Sequence, residues 1–344
     1  MKRYETLDWL RGVTACAIMI YHLISWTLWH PQAGSLLGNL GIYGVSIFFV
    51  LSGLSMGIVY NHFICNFKSS FIFFIRRLFR LLPLLWVVIV IISLDQFYLT
   101  HYFDLSKFIL NITLLYGFLA PSEYINVGAW SIGNECVYYA FTPILIMLYN
   151  KRKLFGNLAL LAAVIIGIYF AFFALNHHLT LAQQWKTYIN PFNNLFLYFS
   201  GLALYYNFHE LKVKRIAPLL ILISICILGL YPVAGDQIKI VTDLNRIIFS
   251  IAAVTLTLGF YKLEIITMPS SLSKILSNIG EATYGIYLIH PVVFLYITRF
   301  FNLNSYLNIL LTIILTLLIS NLLYYFYEKP FIKIGKRLTT RSVT

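Results

Sequence analysis

Arg11 and His22 interrupt the first apolar stretch of the chain, "WLRGVTACAIMIYHLI", residues 9–24. An ionisable group inside a bilayer is costly, so it needs a partner or a function. Eleven helical positions bring the two side chains to within about 20° of one face, about 16 Å apart along the axis. Histidine titrates near neutrality and acts as a general base or a nucleophile, which favours a catalytic His22 over a helix–helix hydrogen bond. An ion pair with Asp8, on the same face, is the alternative to a binding role for Arg11.

A carboxylate lies at a comparable depth in a later stretch, "VGAWSIGNECVYYAFTP", residues 127–143. Glu135 falls roughly 8 Å below the outer end of that stretch, against roughly 10 Å for His22. A carboxylate beside an imidazole would orient the ring and raise its basicity, whereas hydrogen bonds to neighbouring hydroxyls are the structural alternative. Trp130 falls at the outer interface, where aromatic belts lie, and would offer a flat face to a sugar ring.

Three arginines are grouped in "FFIRRLFRLLP", residues 73–83. Arg76 and Arg80 are four residues apart, and Arg77 and Arg80 are three apart, so all three lie close together on one helix. Arginine forks match phosphate oxygens better than lysine does. Anchoring to lipid head groups at the cytoplasmic surface is an equally good interpretation of the spacing alone.

Two further charged or titratable residues lie towards the C-terminus. In "EATYGIYLIHPVV", residues 281–293, His290 precedes Pro291, which frees a backbone carbonyl. His290 either bonds to that backbone or lines the same cavity as His22. Glu328, which stands next to Lys329, is expected to be a surface charge.

Composition excludes a soluble protein. The chain has 344 residues, 60% of them hydrophobic and 11% charged, with a mean hydropathy of +0.81. A soluble domain carries about 25% charged residues. We therefore predict an all-α polytopic integral membrane protein, a single transmembrane domain over 1–344 with no separate soluble domain. The net charge of +13 is explained by basic cytoplasmic loops rather than by nucleic-acid binding, and the four scattered cysteines predict neither a metal site nor a disulfide.

A bundle of about ten transmembrane helices must position these residues. A span needs roughly 20 mostly apolar residues, and such stretches occur at 8–29, 38–60, 80–99, 130–149, 155–175, 191–208, 216–233, 243–261, 280–300 and 306–327. The segment 106–120 is apolar but short, which indicates an interfacial or re-entrant piece. With the N-terminus inside, 19 of the 25 Lys and Arg residues fall on one side and 5 on the other. The positive-inside rule therefore places both termini in the cytoplasm.

Taken in order, these segments resemble the acyltransferase-3 family of membrane acyltransferases. "LDWLRG" followed by His22 is similar to the family's Arg/Lys-x10-His signature. The later family blocks are matched by "GVSIFFVLSG", "RRLFRLLP", "WSIGNE", "YGIYLIHP" and "YEKP". One departure concerns the second block, where the family usually has Gly-Val-Asp/Glu and this chain has Ser46. If that acid assists the histidine in relatives, Glu135 or a water would have to serve here.

The resemblance implies transfer of an acyl group, usually acetyl, from cytoplasmic acyl-CoA to a carbohydrate hydroxyl at the outer face. Typical acceptors are lipopolysaccharide O-antigen, capsule, exopolysaccharide or peptidoglycan. The membrane implied is the bacterial cytoplasmic (inner) membrane, and the chain is expected to be a stand-alone membrane module.

The resemblance and the residue patterns together assign these residues to three roles. Catalysis is expected of His22 and Glu135, and acceptor binding of Trp130 and His290. The acetyl-CoA donor is expected to be bound by Arg11, Arg76, Arg77 and Arg80. The donor is a substrate, and no tightly bound cofactor is expected. The expected partners are acyl-CoA, a lipid-linked or surface polysaccharide acceptor and membrane lipids, and a homo-oligomer is left open. The alternative is a transporter or flippase of lipid-linked or acylated saccharides without acyl-transfer chemistry.

Overall fold

A computed structural model describes residues 4–211, 214–264 and 269–341. Within these residues the chain is all-helical, with 82% helix and no strand. Three residues of the basic count, Lys2, Arg3 and Lys212, lie outside the described residues. In chain order the helices are α1 (Glu5–Thr27), α2 (Leu36–Tyr60), α3 (Phe67–Thr100), α4 (Leu105–Ile112), α5 (Tyr116–Leu119), α6 (Ala129–Lys151), α7 (Lys153–Tyr169), α8 (Trp185–Tyr188), α9 (Pro191–Phe208), α10 (Ala217–Leu230), α11 (Asp243–Lys262), α12 (Ser270–Glu281), α13 (Thr283–Phe300), α14 (Ser305–Leu323) and α15 (Lys329–Arg341).

Each of the ten predicted spans overlaps one of these helices. Six helical stretches of the described chain are long and apolar enough to cross a membrane: Glu5–Thr27, Leu36–Tyr60, Phe67–Thr100, Lys153–Ala174, Asp243–Lys262 and Ser305–Thr340. The chain is therefore a polytopic membrane protein, as predicted. The number of ten crossings and the cytoplasmic position of both termini stay predictions.

The segment 106–120 forms two short helices rather than a span. α4 has 8 residues and α5 has 4, and Leu114 between them has a φ of 59°. A left-handed residue of this kind ends a helix, so the segment contains no continuous helix of crossing length.

Side-chain caps explain where several helices begin. Ser35 accepts a hydrogen bond from the amide of Gly38 at the start of α2, and Asp104 caps α4 by accepting from Lys107. Asn66 and Ser69 form a reciprocal capping box at the start of α3, a device that satisfies two amides left without helical partners. This box starts α3 well before the predicted span 80–99, and the resulting 34-residue helix is about 51 Å long.

The described chain divides into two compact units. The first consists of Met1–Asn61 and Ile144–Gly280, and its closest helix pair is α2 with α9. A Cβ on Gly53 would overlap the carbonyl of Tyr198, and a Cβ on Gly201 would overlap the carbonyl of Val50. The two backbones therefore touch, as small residues allow in membrane helices.

Small residues of the segment 41–53 lie against α1 within this unit. The Cα of Gly41 lies against the ring of Tyr21, and a Cβ on Gly44 would approach Ile18 to 2.7 Å. These small residues of α2 let α1 pack closely along it.

The second unit consists of His62–Pro143 and Glu281–Thr344. Here α13 packs on α14, and α15 returns along α3. A π-helical turn, Tyr324–Glu328, joins α14 to α15 without ending the helical run. Such turns insert one residue and are frequent at functional sites.

Candidate functional site

Arg11 is held by two partners within the first unit. Its Nη1 donates to Asp8 Oδ1 at 2.8 Å, and its Nη2 donates to Ser55 Oγ of α2 at 2.5 Å. The ion pair that the sequence left as an alternative is therefore present. Ser55 in turn donates to the carbonyl of Leu51 at 2.5 Å, so the guanidinium is fixed against α2 in the N-terminal part of α1.

His22 lies half-buried on α1, between aromatic neighbours. Its ring lies 5.6 Å from that of Tyr21 and also contacts Trp26, one turn further along the helix. Tyr21 is itself anchored, because its hydroxyl donates to Gln237 Oε1 at 3.0 Å. Ser46 is buried on α2 with 5% of its surface exposed.

The three arginines of α3 have different surroundings in the second unit. The Nε of Arg76 donates to Thr339 Oγ1 of α15 at 2.9 Å, and its guanidinium lies 4.8 Å above the ring of Phe63. Arg77 lies 5.9 Å from the ring of Tyr139. Arg80 is exposed, and it makes no hydrogen bond or close ion pair with any residue that the structure describes. Of the three, Arg80 is thus the one best able to bind a phosphate.

Glu135 belongs to the same unit as these arginines. Tyr139, one helical turn beyond it on α6, donates its hydroxyl to Glu135 Oε1 at 2.5 Å. The Tyr139 hydroxyl also lies within the electrostatic reach of Arg77 and Arg80. The hydrogen bond to a neighbouring hydroxyl, which was the structural alternative for Glu135, is therefore formed. Its pairing with His22, a residue of the other unit, stays a prediction.

Glu328 is not a surface charge, contrary to the sequence-based expectation. Only 5% of its surface is exposed, because the π turn Tyr324–Glu328 carries it onto the buried face of the last helical run. The neighbouring Lys329 points elsewhere, with its Nζ 5.1 Å from the ring of Tyr325. The adjacent Glu328 and Lys329 of "YEKP" suggested a solvated pair of charges. The residue inserted by the π turn changes which of these side chains faces the protein interior.

The two residues predicted to contact the acceptor are both buried. Trp130 has 4% of its surface exposed and His290 has 1%. The Nδ1 of His290 donates to the carbonyl of Ile286 at 2.9 Å. That carbonyl precedes by one residue the Tyr287 carbonyl that Pro291 leaves without its helical amide, so both sequence-based interpretations of His290 stay predictions. With its face covered, the indole of Trp130 does not present a stacking platform in this conformation.

The sequence-based prediction missed three residues that contact the predicted site residues. These are Ser55, Trp26 and Tyr139. Trp26 lies four residues after His22, and Tyr139 lies four residues after Glu135, a spacing that makes side chains neighbours on one helix. These two contacts could therefore have been predicted from the sequence. The Arg11–Ser55 contact joins two different helices, so no sequence spacing indicates it.

The described residues form no candidate metal cluster, and a cavity in the first unit lies away from the residues predicted for the site. Across residues 4–211, 214–264 and 269–341, no three His, Cys, Asp or Glu side chains could hold a metal ion together. A cavity of about 340 Å³ in the first unit lies among α7, α9 and α11, beside Phe196, Arg246 and Ser250. None of the residues predicted for the site lines it.

These features define an all-helical integral membrane protein with arginines and a histidine inside its helices. The model of the acyltransferase-3 family, which is described as an acyltransferase domain, matches residues 4–325. The chain therefore belongs to the acyltransferase-3 family, as its motifs predicted.

Relatives with assigned names share about a quarter of their residues with the chain. It is 25% identical over 99% of its length to a Staphylococcus aureus protein named "Putative O-acetyltransferase", of which it covers 59%. It is 26% identical over 85% of its length to the peptidoglycan O-acetyltransferase OatA of Listeria monocytogenes, of which it covers 50%. Nodulation protein 10 of Rhizobium leguminosarum is 27% identical over 47% of the chain. The chain thus spans between half and three-fifths of the first two relatives, and no solved structure matches it.

Proposed function

We propose that the protein transfers an acetyl group from acetyl-CoA to a hydroxyl of a cell-surface carbohydrate. The observation that carries the proposal is the family match over nearly the whole chain, with relatives named as O-acetyltransferases. A carbohydrate acceptor is favoured because peptidoglycan, which OatA is named for, is a carbohydrate polymer. The membrane proposed is the bacterial cytoplasmic membrane, with the acceptor at its outer face.

The donor's phosphates are proposed to bind the arginines of α3, chiefly Arg80. Its exposed guanidinium keeps its donors available, and a planar fork can bind two phosphate oxygens at once. Arg76 and Arg77 add positive charge on the same helix while contacting Thr339 and Tyr139. Arg11, which is held by Asp8 and Ser55, is proposed to contact a polar group of the pantetheine arm.

His22 is proposed to act on the acceptor hydroxyl as a general base. The hydroxyl oxygen attacks the thioester carbon while the imidazole takes the hydroxyl proton. The C–S bond then breaks, and the proton passes to the leaving thiolate, so the products are the O-acetyl ester and CoA. Attack by the imidazole itself, giving an acyl-histidine before transfer, is the second route. Glu135 is proposed to orient the imidazole in either case, and Trp130 and His290 to shape the acceptor side.

Acetyl transfer can be tested directly on the purified protein in lipid nanodiscs. The protein is incubated with acetyl-CoA labelled in the acetyl group and with O-antigen, capsule, exopolysaccharide or peptidoglycan fragments. Label that moves to a glycan and is released by mild base supports the proposal. If no acetyl label reaches any glycan, but the protein moves a lipid-linked saccharide across the membrane of liposomes, the transporter alternative is supported instead.

A further inference from the structure

The cavity of the first unit lies between α7 and α11, which both pack on α9. Its volume of about 340 Å³ falls in the range of small-molecule sites. Three isoleucines of its lining, Ile168, Ile247 and Ile251, are exposed on the outside of the unit. Both helices belong to stretches long and apolar enough to cross a membrane. The rim formed by these isoleucines therefore faces lipid rather than water.

The polarity of the cavity changes along its length. Arg246 lines it near the start of α11, and the lining continues along that helix to Thr255, about 14 Å further on. Apart from the hydroxyls of Ser200, Ser250 and Thr255, the rest of the lining is apolar. A positive charge at one end and an apolar wall beyond it match the order of head group and acyl chain in an anionic lipid.

Arg246 is buried and held in a fixed orientation. Its Nη1 donates to the carbonyl of Val241 at 3.1 Å. Its Nη2 donates to the carbonyl of Asn193 at 2.6 Å and to Oδ1 of Asn194 at 3.3 Å. These acceptors are neutral, so they orient the guanidinium without cancelling its charge. A planar guanidinium fixed in this way suits a phosphate group.

The wall formed by α7 has two local features at the cavity. A Cβ on Gly167 would lie 2.5 Å from Cδ1 of Phe196, so the glycine lets that ring lie against α7. The ring of Phe196 in turn lies 5.5 Å from the guanidinium of Arg246. A π-helical turn, Phe170–Ala174, follows α7 and contributes Ala171 to the lining. Such turns are frequent at functional sites.

We propose that this cavity binds an anionic phospholipid of the surrounding bilayer, with one acyl chain between α7 and α11 and the phosphate at Arg246. An empty apolar cavity forfeits dispersion contacts, which an acyl chain supplies. The predicted orientation of the spans places the start of α11 at the outer surface, so the lipid comes from the outer leaflet. The inference goes beyond the proposed function, since none of the residues assigned to acetyl transfer lines the cavity.

The experiment titrates the purified full chain with phosphatidylglycerol or phosphatidylcholine of identical acyl chains and measures bound lipid by native mass spectrometry. We expect one tightly bound phosphatidylglycerol per chain. Phosphatidylcholine, whose choline cancels the phosphate charge, should bind at least about 10-fold more weakly. Phosphatidylglycerol with a photoreactive group in its acyl chain should crosslink to residues 164–171 or 246–255.

Two variants test the two ends of the cavity. Val254→Phe places a ring in the space for the acyl chain and should weaken phosphatidylglycerol binding by about 10-fold or more. Ile165→Phe, which adds a ring at an exposed position of α7 outside the cavity lining, is the matched control and should bind as wild type. Arg246→Gln should bind the two lipids with equal affinity.

Equal binding of the two lipids to the wild-type chain would overturn the inference. So would undiminished binding in Val254→Phe, or crosslinks confined to other parts of the chain. Displacement of the photoreactive lipid by an equal amount of a lipid-linked saccharide would assign the cavity to the acceptor and also overturn the inference. If a variant does not fold, the lipid preference of the wild-type chain and the positions of its crosslinks decide.

Discussion

The indole of Trp26 lies parallel to the imidazole of His22, with ring centroids 5.2 Å apart and an interplanar angle of 9°. The two residues are one helical turn apart, so the stack is built into α1. Trp26 therefore restricts rotation of the imidazole about its side-chain bonds and covers one of its faces.

Replacing Trp26 should lower turnover by loosening His22. Stacked aromatic pairs contribute about 0.5–1.5 kcal/mol beyond burial, which corresponds to about 2- to 10-fold in rate. We expect Trp26→Leu to reduce kcat for acetyl transfer by that factor and to leave CoA affinity unchanged. Trp26→Phe should retain most of the wild-type kcat. Trp29→Leu, at an exposed tryptophan beyond the helix end, is the control. A full kcat in Trp26→Leu would rule out this role for the stack.

Removing the imidazole of His22 should have a much larger effect. A positioned general base contributes about 10²–10⁴-fold in rate, so His22→Ala should lose acetyl transfer by that amount. The measurement is release of base-labile acetyl from glycans in cells that make equal amounts of each variant. His178→Ala, at an exposed loop histidine, should behave as wild type, and wild-type activity in His22→Ala would exclude catalysis by this residue.

Arg80 and Arg76 of α3 should separate into a binding and a structural role. Arg80→Gln should weaken CoA binding by about 10-fold or more, since a hydrogen bond between charged groups contributes about 1.5–3 kcal/mol. Arg76→Gln should mainly lower the melting temperature, because Arg76 bonds to Thr339. Thr339→Val should lower it similarly, which distinguishes the α3–α15 contact from phosphate binding. Greater loss of CoA affinity in Arg76→Gln than in Arg80→Gln would contradict this assignment.

The contact of α2 with α9 should tolerate no side chain at Gly53. Its Cβ would overlap the carbonyl of Tyr198, so Gly53→Val should destabilise the fold by about 1–3 kcal/mol or more through overpacking. The measurement is the yield and melting temperature of monodisperse protein in detergent. Gly229→Ala is the matched control, since its Cβ would lie at an ordinary 3.5 Å from Leu36. Equal yields of the two variants would show that the helices can separate at low cost.

Helices that coincide with a long apolar stretch could be predicted from the sequence. The start of α3 could not, because residues 67–79 are too polar to read as a span, and the helix begins there through the capping box of Asn66 and Ser69. The ion pair of Arg11 with Asp8 was open to prediction, since the two residues share one turn of helix. Its second contact, to Ser55, depends on how two helices pack.

Glu328 shows most clearly what the sequence concealed. A glutamate beside a lysine near the end of an apolar run is typical of a solvated surface, and only the π turn reverses that expectation. A regular period of 3.6 residues cannot anticipate an inserted residue. The burial of Trp130 likewise could not be predicted from periodicity alone.

The Asp8–Arg11 ion pair also bears on how the protein is made. Its two partners are three residues apart, so the pair can form as soon as the first helix exists, before any later helix has been synthesised. A lone arginine or aspartate at the centre of a helix opposes insertion by about 2.5–3.5 kcal/mol. Paired, the two charges enter the bilayer as a neutral unit, and Ser55 can take over part of the guanidinium once α2 arrives.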